Sequence, residues 1–350
     1  MPQAQKNKKK NIKTKYDIIS IGDATIDTFL FVNEVDVKKS KGRLWATISW
    51  GDKLPVQEYY RTVAGNAANN AVGSSRLGLK AAFYTVLAHD TGGREIVHKM
   101  KKEKVATEYV VVDEKHPTNA STVLSHEGER TIFVYHEHRK YKLPKLAPAK
   151  WIYLTSMANG FEKIHKDLAA YIDKYDVKVG FNPGTFQLRK GPKFNKAILE
   201  RTTVLSINKE EAQDWVGKIE DPEELCKRLI KLGPESIALT DGPKGAYSYS
   251  AEGFFWIPQY PGPRKDATGA GDSFTTAYIA ALILGKSYKE ALSWGPINAG
   301  SVVSQVGPQA GLLTQAQLKT HMRKLKNWKP IVIDSEKAKS QVMAKVGKIK

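Results

Sequence analysis

The chain has 350 residues, 41% of them hydrophobic, with a single cysteine and a formal net charge of +19. No apolar run reaches the roughly 18 to 20 residues of a membrane-spanning helix, and the lysine-rich start MPQAQKNKKKNIKTK lacks the apolar core of a secretory signal peptide. The lone Cys226 excludes an internal disulfide and fits a reducing compartment, so we expect a cytoplasmic protein without a membrane partner.

The positive charge is concentrated at the two ends of the chain. Residues 1–15 carry six lysines and no acidic residue, and residues 315–350 carry ten Lys or Arg against two acidic residues. Basic ends of this kind can bind nucleic acid, but they are more often solvated and poorly ordered. We therefore expect basic tails over residues 1–15 and 331–350, without nucleic-acid contact, around one folded domain over residues 16–330.

The first half of that domain mixes strands and helices irregularly. YDIISIGDATIDTFLFV predicts a buried strand followed by a half-exposed strand. Two stretches, about 28–62 and 107–140, have strand-like composition broken by turn residues. Between them, GNAANNAVGSSRLGL predicts a loop and a small-residue helix that ends at Gly78. We expect the two strand-like stretches to form a small separate sheet that acts as a lid.

The second half alternates strand and helix regularly. The strand-like segments KWIYLTS, VKVGFNP, TTVLSIN and ESIALTD are separated by helical stretches from residue 150 onward. This alternation is typical of βαβ units. The predicted fold is an α/β protein, a three-layer α/β/α sandwich with a mostly parallel sheet and a small β-sheet lid.

Three polar stretches occur near predicted strand ends, where open α/β sheets bind their ligands. GDATID places Asp27 just after the first buried strand, and AGNAANNAVG offers Asn66 and Asn69 to a polyhydroxyl ligand. INKEEA contains Asn208 and Glu211, whose side chains can order the waters of a phosphate-bound Mg²⁺. Each stretch alone is also compatible with ordinary turn chemistry.

The fourth polar stretch is DATGAGD, which precedes an apolar helical run. Glycines at the N-terminus of a helix allow backbone N–H groups to approach an anion, and Asp272 can act on a group beside it. An isolated GAGD is more typical of a βα turn with a capping aspartate. The combination of this stretch with the other three favours the anion-binding interpretation.

These stretches together resemble the ribokinase (PfkB) family of sugar and nucleoside kinases. The similarity runs from about Tyr16 to Thr314. RKDATGAGDSFTTAYIAAL is similar to the specific C-terminal signature of the family, and VAGNAANNAVGSSRLG is similar to the N-terminal signature, with Ala64 where many relatives have a glycine. SINKEEA resembles the NxxE motif, and LTDGPKGAYSY resembles the hairpin beside the nucleotide.

The resemblance implies a role for each matching position. It makes Asp272 the catalytic base, and it places the backbone amides of Gly269, Ala270 and Gly271 in an anion hole. It implies that substrate hydroxyls are bound by Asp27, Gly65, Asn66 and Asn69, and that the nucleotide is bound by Thr240, Gly242, Gly245 and Asn298. It implies that Asn208 and Glu211 act on Mg²⁺ and phosphate, so ATP and Mg²⁺ are the implied cofactors. K⁺ is a further candidate, since relatives with a monovalent-cation site use the loop that contains Asp266 and Thr268.

The implied activity is ATP-dependent phosphorylation of a primary hydroxyl on a sugar-like substrate, with the lid as a candidate surface for a homodimer. A nucleoside kinase is an open alternative, because the aromatic side chains Trp50, Tyr59 and Tyr60 can stack on a base or form the lid core. A sugar-acid kinase is a second alternative, favoured by basic side chains near the lid, namely Arg130, His136, His138 and Arg139. A silent binding protein on the same fold is a third, which the intact GAGD argues against.

Overall fold

The computed structural model describes residues 13–33, 35–40, 43–126, 129–325 and 327–347. The strands are β1 (Tyr16–Ile21), β2 (Thr25–Phe31), β3 (Asp36–Ser40), β4 (Arg43–Thr47), β5 (Glu58–Ala64), β6 (Ala81–Tyr84), β7 (Val86–Leu87), β8 (Val111–Val112), β9 (Ala120–His126), β10 (Glu129–Tyr135), β11 (Ala149–Leu154), β12 (Lys178–Phe181), β13 (Val204–Asn208), β14 (Ile237–Thr240), β15 (Ala246–Ser250), β16 (Gly253–Ile257) and β17 (Ile331–Val332). The helices are α1 (Asn66–Arg76), α2 (Thr91–Lys102), α3 (Glu162–Tyr175), α4 (Thr185–Leu199), α5 (Lys209–Val216), α6 (Pro222–Ile230), α7 (Ala270–Ile283), α8 (Tyr288–Val303), α9 (Gln315–Lys324) and α10 (Glu336–Gly347).

Nine strands form the main sheet, in the order β17-β16-β15-β14-β13-β12-β11-β1-β6. The pairs from β6 to β14 are all parallel, and β14 to β17 pair antiparallel at the other edge. Because parallel strands need crossover connections, the helices between them lie on the sheet faces. The carboxyl ends of β1, β11, β12, β13 and β14 therefore meet at one edge, which is where the predicted site residues follow.

Two hydrophobic cores lie on the two faces of this sheet. Side chains alternate between the faces along each strand, so Ile19 and Ile21 of β1 join one core while Ile18 joins the other. The first core includes buried residues of α3, α4, α5, α6 and α10, and the second includes those of α1, α2, α7, α8 and α9. The predicted three-layer α/β/α sandwich with a mostly parallel sheet is confirmed.

A second sheet of four strands, in the order β10-β9-β2-β5, covers the site edge of the main sheet. Its strands come from both stretches in which a lid was predicted, and we call this sheet the lid. The observed borders differ from the predicted 28–62 and 107–140, since β2 begins at Thr25. Residues 111–112 form β8, which pairs with β7 of the main body instead.

The C-terminal residues form regular structure where a basic tail was predicted over 331–350. Strand β17 pairs with β16, and α10 buries Val342 and Val346 in the first core. The Lys339 ammonium lies 2.6 Å from the Asp221 carboxylate, which adds an ion pair between α10 and the start of α6. The tail prediction is therefore wrong for residues 331–347. Residues 348–350, like the N-terminal residues 1–12, lie outside the described residues.

Within the residues that the structure describes, no helix combines the length and the apolar character of a membrane span.

Candidate active site

Two large cavities lie side by side between the site edge of the main sheet and the lid. One, of about 750 Å³, is lined by residues of the β13–α5, β14–β15 and β16–α7 connections, and we call it the loop cavity. The other, of about 650 Å³, lies under the lid and is called the lid cavity. Asp272, Gly269 and Glu211 line both of them. Four more residues line both cavities, so the boundary at which contents of the two cavities would meet is formed by these three together with Asn66, Ile132, Asn182 and Thr268.

Asp272 lies in the first turn of α7 and is almost fully buried. Its Oδ2 accepts a hydrogen bond of 2.8 Å from Nδ2 of Asn69 on α1. Burial raises the pKa of Asp272 to about 6, and the negative charges of Glu211 and Asp27 act in the same direction, while the Asn69 bond opposes them. The carboxyl group is thus held by a neutral donor, and its pKa lies above the ordinary value for aspartate.

The backbone before Asp272 is shaped by Gly269. This residue has φ +79° at the N-cap of α7, and a Cβ there would lie 2.5 Å from Cβ of Pro308. Only glycine fits such a position without strain. The first N–H groups of a helix have no acceptor within the helix, so those of Gly271 and Asp272 point out of the N-terminus. The N–H of Ala270 is 3.3 Å from the Ala267 carbonyl oxygen, a long bond.

Asn208 and Glu211 form a reciprocal pair at the start of α5. The Asn208 side chain accepts from the Glu211 N–H at 2.9 Å, and the Glu211 carboxylate accepts from the Asn208 N–H at 3.1 Å. This capping box holds both side chains at the wall of the loop cavity. No group of three or more His, Cys, Asp or Glu side chains able to hold a metal occurs in the described part of the chain. A carboxylate and an amide here suit a Mg²⁺ ion that arrives on phosphates and keeps its waters.

The predicted nucleotide residues separate into two groups. Thr240 and Gly242 line the loop cavity, and together with Gly245 they line a neighbouring apolar cleft of about 150 Å³. The cleft also contains Phe274, Ala299 and other apolar or aromatic residues, namely Ala246, Tyr260, Pro296 and Val303. A flat apolar slot beside a cavity with polar walls is suited to a base attached to phosphates.

Asn298 is not part of this cleft. Its side chain is fully buried, donates to the Ser273 carbonyl oxygen at 2.8 Å and accepts from the Leu313 N–H at 3.0 Å. Both functions of the carboxamide are thus used between α7, α8 and the loop before α9. The prediction that Asn298 contacts a nucleotide directly does not fit this placement, because the residues of α8 that line the cleft are Pro296, Ala299, Gly300 and Val303.

The predicted substrate residues Asp27, Gly65, Asn66 and Asn69 all line the lid cavity. Asp27 lies on β2, where its Oδ1 accepts from Oγ1 of Thr25 at 2.5 Å. Burial raises its pKa, and the Thr25 and Ser121 hydroxyls oppose that shift.

Gly65 has φ +94°, and a Cβ there would lie 2.6 Å from Cα of Ala24. This close approach brings the GDAT and GNAANN loops together, and so brings Asp27 and Asn69 to one wall.

The basic lid residues do not all face the cavities. Arg139 is buried in a protein network: its guanidinium lies 2.8 Å from the Asp113 carboxylate and 2.6 Å from the Pro117 carbonyl oxygen. His136 lines the lid cavity, whereas Arg130 lines the loop cavity and lies 3.8 Å from the Asp266 carboxylate. Of the four basic residues predicted near the lid, Arg130, His136, His138 and Arg139, only His136 lines the lid cavity, so the four do not form one basic surface there.

The loop before α7 is organised by Asp266. Its carboxylate accepts from the N–H and the hydroxyl of Thr268 at 2.9 and 2.7 Å, and from the Gly307 N–H at 3.0 Å. These bonds tie the loop of Gly269 to the later loop of Gly307 and Pro308. The position of the backbone at the start of α7 thus depends on both loops.

Two residues of the lid cavity were missed from the sequence. Asp23 lies in the loop between β1 and β2, and its carboxylate accepts from the Tyr141 hydroxyl and the Ala158 N–H, each at 2.8 Å. Burial raises its pKa to about 6, so it is an internal anchor as much as a wall residue. Arg189, in the first half of α4, also lines the cavity. Asp27 was singled out because ligands bind at the carboxyl ends of parallel strands. The same principle would have singled out Arg189, because α4 follows the carboxyl end of β12.

The aromatic lid residues do not line the cavities among the described residues. Tyr60 packs on Phe29 with ring centroids 6.0 Å apart, so it belongs to the lid itself. Trp50 is fully exposed, and Tyr59 is 65% exposed on the lid face away from Tyr60. None of them is placed to stack on a base in either cavity.

The chain resembles proteins of known family and structure. A family model described as pfkB family carbohydrate kinase matches residues 17–315. A 5-dehydro-2-deoxygluconokinase of Halalkalibacterium halodurans is 28% identical over 315 residues, which cover 83% of this chain and 89% of the relative.

Solved structures share the fold. The Arabidopsis thaliana ribokinase, solved with ribose and ATP, superposes with a TM-score of 0.72 at 20% identity, covering 88% of this chain and 99% of that one. An Escherichia coli protein solved with ATP and Mg²⁺ gives 0.70 at 18% identity, covering the same shares of the two chains. The family model spans most of the chain and includes every element that builds the two cavities. The protein belongs to the pfkB family of carbohydrate kinases.

Proposed function

We propose that the protein transfers the γ-phosphoryl group of ATP to a primary hydroxyl of a sugar-like substrate held in the lid cavity. The observation that carries this proposal is the position of Asp272, which lines both cavities beside the N-terminus of α7. ATP would occupy the apolar cleft and the loop cavity, with its γ-phosphate at Gly269 to Gly271. The substrate hydroxyl would then lie between Asp272 and that phosphate.

The chemistry needs placement and charge stabilisation more than covalent help. Asp272 takes the hydroxyl proton as the hydroxyl oxygen bonds to the γ-phosphorus, and the bond from that phosphorus to the β–γ bridging oxygen breaks, which leaves ADP. The N–H groups at the start of α7 stabilise the charge that develops on the transferred group. Because the pKa of Asp272 is raised only to about 6, the residue is mostly ionised at neutral pH and can accept this proton.

The lid supports the reaction by excluding water, a competing acceptor. Arg130 extends from β10 of the lid into the loop cavity, near Asp266. Bound phosphates would give this guanidinium a second anionic partner, so nucleotide binding and lid position would be linked. K⁺ at Asp266 and Thr268 stays a prediction.

Mg²⁺, carried on the ATP phosphates, would supply positive charge near Asn208 and Glu211. We expect Glu211→Gln to raise the Mg²⁺ concentration needed for the half-maximal rate several-fold. The change removes the charge, yet glutamine can keep the capping box, so α5 should stay folded. The measurement is the initial rate at fixed ATP across a Mg²⁺ titration.

A matched control is Glu290→Gln, because Glu290 forms a capping box with Ser287 at the start of α8, outside the cavities. That variant should titrate with Mg²⁺ as the parent does. An unshifted Mg²⁺ titration for Glu211→Gln would remove Glu211 from metal binding.

The proposed activity is tested by a coupled assay of ADP release with neutral sugars, sugar acids and nucleosides as acceptors. Release that depends on a sugar or sugar acid supports the proposal. Release that depends on nucleosides alone would assign the protein to the alternative acceptor class. Binding of Mg·ATP without any acceptor-dependent release would favour the silent binding protein.

The lid also offers a surface for a homodimer, which we include in the proposal. Its outer face exposes Tyr59, Phe133 and Tyr135, with 57% of Phe133 accessible. Apolar side chains grouped on one face of a sheet favour pairing with another molecule. We expect a dimer in light scattering, and Phe133→Glu should shift the mass toward the monomer. Phe194→Glu is the matched control, since Phe194 is 59% exposed on α4. A monomeric parent protein would contradict the dimer.

A further inference from the structure

The lid cavity contains one basic side chain that the proposed reaction does not use. Among the described residues that line this cavity, Arg189 is the only Lys or Arg, whereas four carboxylates line it: Asp23, Asp27, Glu211 and Asp272. His136 adds no charge near neutrality, because burial and the nearby Arg139 lower its pKa below the ordinary value. The cavity is therefore acidic around the proposed reaction centre and carries a single permanent positive charge.

Arg189 reaches the cavity from one face of α4. Thr185 and Arg189 are four residues apart, so their side chains lie above one another on the same side of the helix, and both line the cavity together with Phe186. The next residue, Lys190, lies 3.3 Å from the Glu162 carboxylate and does not line the cavity. Within the part of the chain that the structure describes, no ion pair to Arg189 is found.

Each of the four carboxylates either accepts hydrogen bonds within the protein or has a role in the proposed reaction. Asp23 accepts from Tyr141 and Ala158, and Glu211 belongs to the capping box. Asp27 and Asp272 face the hydroxyl groups in the proposed reaction. None of these carboxylates has a recorded ion pair with Arg189. Arg189 is exposed at the cavity wall and has no carboxylate partner among the described residues, so its donors can exchange water for a ligand.

A guanidinium is suited to a planar anion, because its parallel N–H groups can bind both oxygens of a carboxylate at once. A neutral sugar would not need it, since carboxylates and amides already serve hydroxyl groups. We propose that the acceptor is a sugar acid whose carboxylate pairs with Arg189 while its primary hydroxyl lies at Asp272. This inference rests on the proposed kinase activity and names the acceptor class for the same site.

The test compares acids with neutral analogues that differ only at the carboxylate. D-Gluconate is paired with D-glucitol, and 5-keto-D-gluconate with L-sorbose, because each neutral partner carries CH₂OH in place of the carboxylate. We expect higher kcat/KM for the acid of at least one pair. We also expect Arg189→Ala to lower kcat/KM for that acid about tenfold, mainly through KM, since a bond to a charged group contributes about 1.5 to 3 kcal/mol. The neutral partner should be unaffected.

Lys190→Ala is the matched control, since it removes a neighbouring cation of the same helix outside the cavity, and it should leave both members of each pair unchanged. Arg189→Lys should recover part of the lost preference, because it restores the charge but not the fork of donors. Thermal unfolding of each variant shows whether α4 remains intact.

Three results would overturn the inference. The first is a preference for the neutral member of every pair, and the second is an equal loss for acid and neutral substrates in Arg189→Ala. The third is acceptor-dependent turnover with nucleosides or neutral sugars only. In all three the enzyme still transfers phosphate, so the transfer activity survives, although turnover with nucleosides alone would also replace the sugar-like acceptor of the proposed function. If no acceptor is used while calorimetry shows Mg·ATP binding, both the acceptor class and the transfer activity are wrong.

Discussion

Replacing Asp272 with asparagine is expected to lower the turnover number by about 10²-fold or more, the range over which a positioned general base accelerates a reaction. The substitution keeps the size of the side chain, and the new amide oxygen can still accept from Nδ2 of Asn69. It removes a negative charge whose burial costs the folded state desolvation energy. We therefore expect normal thermal unfolding and nearly unchanged ATP affinity, measured by calorimetry alongside the coupled assay.

The pH dependence of the parent enzyme should report the same carboxylate. In the proposed mechanism the ionised form of Asp272 is the base, and burial raises its pKa from 3.8 to about 6. Activity should therefore fall as the pH is lowered through about 6. If the base were an exposed aspartate, activity would fall only near pH 4. The measured quantity is kcat/KM, which reflects groups of the free enzyme.

Asn69→Ala should move this acid limb to higher pH, because the Asn69 hydrogen bond lowers the pKa of Asp272.

Asp90→Asn provides a matched control for Asp272→Asn. Asp90 caps α2 by accepting from the Gly93 N–H at 2.7 Å, and it lines neither cavity. Asparagine can keep this cap, but only one of its two side-chain groups can accept from Gly93 and Thr118, so the replacement should cost some stability and no turnover. Near-parental turnover in Asp272→Asn, in a preparation that binds ATP, would exclude Asp272 as the base and with it the central step of the proposed mechanism.

The parts of the site that could be predicted from the sequence lie in short contiguous stretches at strand ends. The sheet brings such ends to one edge, so GDATID, INKEEA and DATGAGD converge whatever the details of packing. Gly269 shows why these stretches are informative. Its positive φ and the closeness of Pro308 leave room for glycine alone. A glycine at this position in the sequence therefore indicates the backbone geometry.

The failures concern residues whose direction depends on packing. Asn298 lies on α8, and the residues that line the cleft, Pro296, Ala299, Gly300 and Val303, recur with helical spacing on the opposite side from it. The sequence of an apolar helix buried on most sides does not reveal which face borders a ligand. Arg139 illustrates the same limit, because its partner Asp113 is 26 residues away in the chain.

The C-terminal helix was missed for a different reason. In α10 only Val342 and Val346 are buried, and the other ten residues include three lysines. Two apolar residues four apart are a weak sequence signal for a helix. The helix is held by tertiary contacts, which include the burial of those valines and the ion pair of Lys339 with Asp221. Such contacts are not visible in composition, which instead indicated a charged tail.

The second large effect is expected at Asp27, whose removal should separate substrate binding from nucleotide binding. The carboxylate lines the lid cavity and forms no ion pair with a basic side chain among the described residues. The Thr25 hydroxyl donates a short hydrogen bond to it. A carboxylate can accept hydrogen bonds from two adjacent hydroxyls of a sugar. Each bond to a charged group contributes about 1.5 kcal/mol or more, so two bonds correspond to about 10²-fold.

We therefore expect Asp27→Ala to raise the acceptor KM, and lower kcat/KM, by about 10²-fold, with ATP affinity nearly unchanged because Asp27 does not line the loop cavity or the apolar cleft. Folding should not suffer, since burial raises the pKa of this carboxyl and its ionised form is costly to the folded state. Calorimetry with Mg·ATP and acceptor kinetics on the same preparation give both quantities. Asp90→Ala, which should lower thermal stability without changing either, controls for the loss of a structural aspartate. If ATP affinity falls together with acceptor use in Asp27→Ala, or if neither changes, Asp27 does not bind the acceptor, and the lid cavity is not the sugar site.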